Sequence, residues 1–121
     1  MMDTPKIDSA RIEALKDLIE FRRPVLEAIE QLGQFPWDCA TELVELGMAD
    51  VLAALESHRR GELDEHDLES WAEALAGRDD VGMRAAQAGV LTEALFELSS
   101  PELFGPPATT VPALLERLRD A

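Results

Sequence analysis

The sequence predicts an all-α fold: a compact single domain of five to seven short helices spanning residues 1–121. Apolar residues recur at three- and four-residue spacing in every long segment, and no run of β-branched residues alternates with polar ones. Hydrophobic residues make up 46% and charged residues 30% of the 121 residues, which suits one globular domain that needs no disulfide or metal for its core. Prolines and glycines divide the chain into segments of helix length.

The first two helices are expected on either side of Pro24. Asp8 or Ser9 can cap the first helix. Proline is tolerated in a first helical turn, so the segment from Pro24 is expected to be a second helix, or a kinked continuation of the first, that ends at Gly33. The predicted buried residues are Ile12, Leu15 and Ile19 in the first helix, and Leu26, Ile29 and Leu32 in the second.

Two more helices are predicted between Pro36 and Gly61. In "FPWDCATELVELG" the chain bends at Pro36, Asp38 is a good N-cap, and Gly47 ends a short helix. The next helix begins at Met48 and places Val51, Leu52 and Leu55 on its buried face before Gly61.

The stretch "HRRGELDEHDLES" predicts a tight turn between two packed helices. Gly61 allows the left-handed conformation that ends one helix. Asp64 then caps the next helix, and Asp67 can reach back to it. Leu63 before the cap and Leu68 after it form a hydrophobic staple.

The same stretch partly matches the spacing of a calcium-binding loop. With Gly61 at position 6, Asp67 falls at position 12, where such loops carry an acid. However, His58 and Arg60 then occupy positions 3 and 5, which must supply oxygen ligands. The pattern therefore argues against calcium, and we expect no metal and no cofactor.

The helix after this turn is expected to bury Trp71 and to end at Gly77. Arg78 is expected to pair with a carboxylate or to bond the last carbonyls of its own helix. Asp79 or Asp80 can cap the following helix, which runs to the serines at 99 and 100.

The C-terminal part is expected to hold a loop and one last helix. Prolines and a glycine predict a loop in "SSPELFGPPATT", with one turn around residues 102–104. Thr110 is the predicted cap of the last helix, whose buried residues are Leu114, Leu115 and Leu118.

Acidic residues outnumber basic residues by 25 to 11, which gives a formal net charge of -14. This charge argues against nucleic acid and acidic membranes as ligands, because both require a basic surface. It permits a basic protein partner, whose association it would accelerate. It can equally serve solubility alone.

Cys39 is the single cysteine, which excludes an intramolecular disulfide and favours a reducing compartment. No apolar signal core is present near the N-terminus, and no segment reaches the length of a membrane span. We therefore expect a cytoplasmic protein.

The segment "GELDEHDLESWAEALAGRDDV", with "PWD" upstream and "LFELSSPEL" downstream, resembles small bacterial proteins. Some of these are similar to immunity proteins of contact-dependent and polymorphic toxin systems. The resemblance covers roughly residues 36–118 and includes no residue diagnostic of a reaction. It implies a small helical protein that inhibits a toxin.

Catalysis has little support in the sequence. A zinc site would need more ligands than His58, His66 and Cys39 supply, and no phosphate loop or nucleophile elbow occurs. A lone cysteine such as Cys39 is more often a packed thiol than a nucleophile. We therefore expect a protein that is not an enzyme, with a catalytic Cys39 as the least favoured hypothesis.

The favoured hypothesis is an acidic module that binds and neutralises a basic protein, most simply a toxin domain, by occluding its cationic substrate cleft. The alternative is a structural or regulatory module that forms a homo-oligomer, such as a dimer through the face around Leu91, Leu95 and Leu98. The acids proposed to contact a basic partner, together with a few aromatic or aliphatic anchors, are Glu62, Glu65, Glu69, Glu73, Asp79 and Asp80.

Overall fold

Seven helices and one pair of very short strands follow one another along residues 5–120, the part of the chain that the computed structural model describes; side chains are described from Ser9. The prediction of an all-α bundle of five to seven helices is confirmed. The elements are α1 (Pro5–Ile19), α2 (Val25–Leu32), β1 (Val44–Glu45), α3 (Met48–Arg59), α4 (Glu65–Leu75), β2 (Val81–Gly82), α5 (Ala85–Ser99), α6 (Pro101–Phe104) and α7 (Pro107–Arg119).

Helix α4 is central to the packing, because it contacts α2, α3 and α5. Its apolar residues recur at three- and four-residue spacing, and the largest of them, Trp71, is fully buried. The Trp71 indole donates a hydrogen bond to the Leu18 carbonyl at 3.0 Å, and its ring stacks on Phe21 at 5.5 Å. The predicted core role of Trp71 is confirmed.

The turn between α3 and α4 is also as predicted. Gly61 has a φ of +80°, a conformation that side chains with a Cβ rarely adopt. The Asp64 carboxylate accepts a hydrogen bond from the Asp67 amide at 2.8 Å. Leu63 and Leu68 are both buried, as a hydrophobic staple requires.

Two predicted helix caps are wrong, because each helix begins earlier than its polar residue suggested. Asp8 and Ser9 lie inside α1, which begins at Pro5. Thr110 lies inside α7, where its hydroxyl donates to the Pro106 carbonyl at 3.2 Å. Proline at the first position of α7 replaces the polar cap, since proline has no amide hydrogen to satisfy.

The helix predicted after Pro36 does not form. Its backbone groups bond to distant parts of the chain instead of to one another. Arg11 donates to the Pro36 carbonyl at 2.7 Å, and the Asp80 carbonyl accepts from the amides of Leu43 and Val44 at 2.8 and 3.2 Å. Strand β1 then pairs in parallel with β2. The segment after Pro36 is therefore an irregular loop that leads into the short strand β1.

The structure changes the expected roles of two helix faces. In α2 the buried residues include Val25, Ala28 and Leu32, whereas Leu26 is 54% exposed, so its predicted burial is wrong. In α5 the residues Leu91, Leu95 and Leu98 are all in the core, so they cannot form an exposed oligomerisation face.

Within residues 5–120, no helix is long and apolar enough to cross a membrane.

Candidate partner-binding face

Helix α4 carries three of the six acids proposed to contact a partner. This helix contains four acidic residues and neither lysine nor arginine. Glu65, Glu69 and Glu73 recur every fourth residue and so lie along one side of the helix, which we call the acidic stripe. Glu65 and Glu73 are exposed and Glu69 is half-buried. All three therefore reach solvent on the same side of the molecule.

No cationic group of a described side chain lies within 4.0 Å of a carboxylate of the acidic stripe. The arginines pair with acids elsewhere instead. The acidic stripe therefore has no counter-charge among the described side chains, as is also true of other acids such as Glu30, Glu102 and Glu116. The surface pairs include Arg22–Glu13, Arg23–Asp17, Arg60–Glu62, Arg84–Glu45, Arg117–Glu97 and Arg119–Glu56.

Glu62 differs from the acidic stripe because it already has a cationic partner. It is exposed, and its carboxylate lies 3.1 Å from a guanidinium nitrogen of Arg60. The hydrogen bond from Arg60, and then the charge of Arg60, lower the pKa of Glu62 below its usual value. A partner cation would have to compete with Arg60 for this carboxylate.

Asp79 and Asp80 are neighbours in sequence with opposite environments. Asp79 is exposed, and its amide donates to the Trp37 carbonyl at 3.2 Å. Asp80 is fully buried, so the expectation that it is an exposed contact residue is wrong. Neither caps α5, whose capping residue is Arg84.

Asp80 is buried because two arginines neutralise it inside the protein. Its carboxylate accepts from Arg11 Nε at 2.8 Å, and from Arg78 Nε and Nη2 at 2.9 and 3.0 Å. Burial raises the pKa of Asp80, but the hydrogen bonds and charges of Arg78 and Arg11 outweigh it and leave the pKa below its ordinary value. The predicted pairing of Arg78 with a carboxylate is confirmed.

This buried cluster also fixes the loop that carries Trp37. Arg11 Nη2 donates to the carbonyls of Pro36 and Asp38 at 2.7 and 3.0 Å, and Arg78 Nη2 donates to Pro36 at 3.1 Å. The Arg78 guanidinium lies 5.0 Å from the centre of the Trp37 ring. Trp37 is thereby held at the surface with 48% of its area exposed.

The sequence contained one signal for this cluster that the helical analysis missed. Arg11 precedes Leu15 by four residues and Leu18 by seven, so it lies on the buried face of α1. A cation on an apolar face requires a buried acid. The identity of that acid, Asp80, depends on tertiary contacts across 69 residues of sequence.

An open groove of about 370 Å³ lies between α2 and α4. Its walls are mainly apolar, with Glu73 and Arg78 among its few polar residues. Glu73 thus belongs both to the acidic stripe and to this groove. Six of the lining residues are Leu26, Ile29, Phe35, Trp37, Ser70 and Ala74.

The other end of the acidic stripe borders a second depression. Glu65 and Glu69 line it together with Glu102 of α6. Glu102 is exposed, so it adds a further carboxylate to this side of the molecule. The acidic surface therefore continues from α4 onto the short helix α6.

A separate apolar patch is formed by Phe96, Leu103 and Phe104. Their side chains are 50%, 67% and 39% exposed, and the two phenylalanine rings meet edge to face at 5.3 Å.

Cys39 is half-buried with a free thiol. In the described part of the chain, no three histidine, cysteine or acidic side chains come together as metal ligands.

No protein family, no curated protein and no solved structure shows significant similarity to this chain.

Proposed function

We propose that this protein binds and neutralises a basic protein partner, as an immunity protein of a bacterial toxin system does. The partner class we favour is a toxin domain with a cationic substrate cleft, such as a nuclease. The proposal concerns a binding protein without catalytic activity, and its contact surface is the acidic stripe with the adjoining groove.

The observation that carries the proposal is the unbalanced charge of α4. Like charges four residues apart destabilise a helix by a few tenths of a kcal/mol per pair, so folding gives no reason for Glu69 and Glu73, whereas Glu65 lies in the first turn, where the helix dipole favours it. Solubility would be served equally by acids spread over the surface. A row of carboxylates opposite a basic surface, in contrast, accelerates encounter and selects partners of the right charge.

Neutralisation would follow from occlusion. A cleft that binds phosphates presents arginine and lysine side chains at spacings set by its substrate. Glu65, Glu69 and Glu73 would occupy the positions of those phosphates, and Trp37 beside Glu73 would supply an apolar anchor. Tryptophan is among the residue types that most often dominate the binding energy of an interface.

The partner can be identified by chemical crosslinking and affinity purification from the source cells. We expect a basic protein with a toxic activity, encoded next to a gene for a large secreted protein. The kinetic test then replaces Glu65, Glu69 and Glu73 together by lysine. We expect the association rate at low salt to fall by roughly tenfold or more, and the difference to shrink as salt is added.

A matched control separates the position of the charge from its amount. Replacing Glu93, Glu116 and Asp120 by lysine changes the net charge equally, and these three residues are exposed on α5 and at the end of α7. The control should retain most of the wild-type association rate. Equal losses in the two triple variants would mean that only net charge matters, and an unchanged rate in the stripe variant would remove the acidic stripe from the interface.

A second candidate function, a homo-oligomeric structural or regulatory module, has one observation in its favour. The patch of Phe96, Leu103 and Phe104 is exposed and apolar, as an interface between copies would be. The net charge of -14 opposes self-association. Sedimentation velocity at high salt tests it: a dimer that Leu103→Glu dissociates would favour this function over the first.

A further inference from the structure

The groove between α2 and α4 offers apolar walls to a ligand. Leu26 on α2 is 54% exposed and Trp37 on the loop is 48% exposed, although both residues line a concave surface. Large apolar side chains at the rim of a groove lose their hydration when a ligand fills it. One aliphatic or aromatic side chain would therefore be favoured between them.

The groove also offers a hydrogen-bond donor. Arg78 lines it, and the arginine side chain is only 4% exposed. Its Nε and Nη2 bond Asp80 and Pro36, whereas its Nη1 makes no hydrogen bond to any side chain or backbone group in the described chain. Buried donors are normally satisfied, so Nη1 leaves a place for an acceptor from a ligand.

The third feature of the groove is a negatively charged side chain. Glu73 is exposed, lines the same groove and lies within 4.0 Å of no described cationic group. It can therefore pair with a ligand cation without displacing an internal partner. The groove thus combines an apolar site, a donor and a carboxylate.

We propose that this groove binds a short peptide segment of the partner in which a lysine or arginine flanks an aromatic or branched aliphatic side chain. The apolar side chain packs between Leu26 and Trp37, the cation pairs with Glu73, and a main-chain carbonyl accepts from Arg78 Nη1. This inference rests on the proposed function, since it specifies what the basic partner presents.

A small apolar carboxylate is the competing ligand, because it too could accept from Arg78. The charge around the groove disfavours such an anion. The two guanidiniums in the cluster share the one carboxylate of Asp80, but Glu73 lines the groove and the whole chain carries a net charge of -14. An anion would be repelled on approach, whereas a cationic segment would be attracted.

The probes are blocked pentapeptides, acetylated and amidated, of the sequence Lys-Ala-Phe-Ala-Lys. Two companions replace both lysines by glutamate or the phenylalanine by alanine, and phenylpropionate represents the small carboxylate. The readout is the indole N–H resonance of the two tryptophans. We expect the first peptide, binding with Kd on the order of millimolar, to shift Trp37 and leave the buried Trp71 unchanged.

Variants locate the binding. Leu26→Ala, followed by the Trp37 resonance, should weaken the first peptide by roughly fivefold or more, and so should Trp37→Ala, which lacks that resonance and is followed by the backbone amide resonances of α2 and α4. Leu103→Ala is the matched control, because Leu103 is also an exposed helical leucine but lies outside the groove, and it should have no effect. Leu26→Ala keeps the test decisive if the loop change in Trp37→Ala impairs folding.

Four results would overturn the inference: equal binding of the lysine and glutamate peptides, tighter binding of phenylpropionate, equal loss in the Leu103 variant, or no shift at Trp37. The peptides do not require the whole partner, so the two proposals can fail separately. If the peptide binds but the stripe variant associates with the partner at the wild-type rate, the groove remains a peptide-binding site and the acidic stripe is not part of the interface. If the peptide does not bind but the stripe variant associates slowly, the groove is not a peptide-binding site and the acidic stripe remains part of the interface.

Discussion

Replacing Asp80 by asparagine should destabilise the fold far more than the same change at Asp79. Asparagine has nearly the shape of aspartate, so the substitution removes charge and leaves the packing unchanged. The Asp80 carboxylate accepts three hydrogen bonds, one from Arg11 and two from Arg78. An asparagine amide can accept at one atom only, and its NH2 group must then face a guanidinium N–H.

The size of the effect follows from burial. Asp80 is fully buried, and the side chains of Arg11 and Arg78 are 9% and 4% exposed. Removing one partner of such a group leaves uncompensated charge inside the protein, at a cost of about 3–5 kcal/mol. Since a domain of this size has a total stability of roughly 5–15 kcal/mol, the change removes a large fraction of it.

Urea unfolding followed by tryptophan fluorescence and circular dichroism measures the difference. Asp79→Asn is the control, because the neighbouring side chain is exposed and should change stability by no more than about 0.5 kcal/mol. If the two variants unfold at the same urea concentration, the buried cluster contributes nothing to stability and our account of the Pro36 loop is wrong.

The remaining predictions concern pH, the turn and the core. The pKa of Asp80 is lowered in the folded state, so the ionised carboxylate stabilises the fold above about pH 4, and this stabilisation is lost as the pH falls through the folded-state pKa. The free energy of unfolding measured with urea should therefore differ more between pH 3 and pH 6 for the wild type than for Asp80→Asn. Asp64→Ala should cost about 1 kcal/mol by loss of the cap, and Gly61→Val more, because valine tolerates a positive φ badly; thermal melts equal to the wild type for both would refute the turn. Trp71→Ala should cost roughly 3–5 kcal/mol, and a stable variant with weakened partner binding would contradict its core role.

The elements that the sequence predicted correctly are those that local interactions determine. The turn at Gly61 combines a left-handed glycine, a polar cap and two staple leucines, and all of these lie within eight residues. Helix α4 and its buried Trp71 follow from apolar periodicity alone. Such signals agree with one another without knowledge of the rest of the chain.

The loop after Pro36 was predicted wrongly because its determinants are remote. Asp38 followed by a leucine-rich segment has the local pattern of a capped helix. The carbonyls of Pro36 and Asp38 instead bond Arg11, which lies 25 and 27 residues away. Tertiary hydrogen bonds of this kind override a short helical pattern, because a helix of two turns has little stability of its own.

The candidate site was predictable in part for the same reason. The spacing of Glu65, Glu69 and Glu73 places them on one side of a helix once α4 is assigned. The groove beside Glu73 could not be predicted, since it depends on the position of Trp37 in the loop and on the exposure of Leu26. Both depend on how α2 and the loop pack against α4, and no local pattern specifies that.

The acids of this chain therefore divide by what folding requires of them. Asp80 is needed, because without it two arginines would be buried without a counter-charge. Glu65 lies in the first turn of α4, where the helix dipole favours a negative charge. Glu69 and Glu73 lie beyond that turn, repel their neighbours along the stripe and have no cationic partner among the described residues. A cationic partner would supply the compensation that the fold does not, and Asp80 would contribute to its binding indirectly, by holding the loop that places Trp37 beside Glu73.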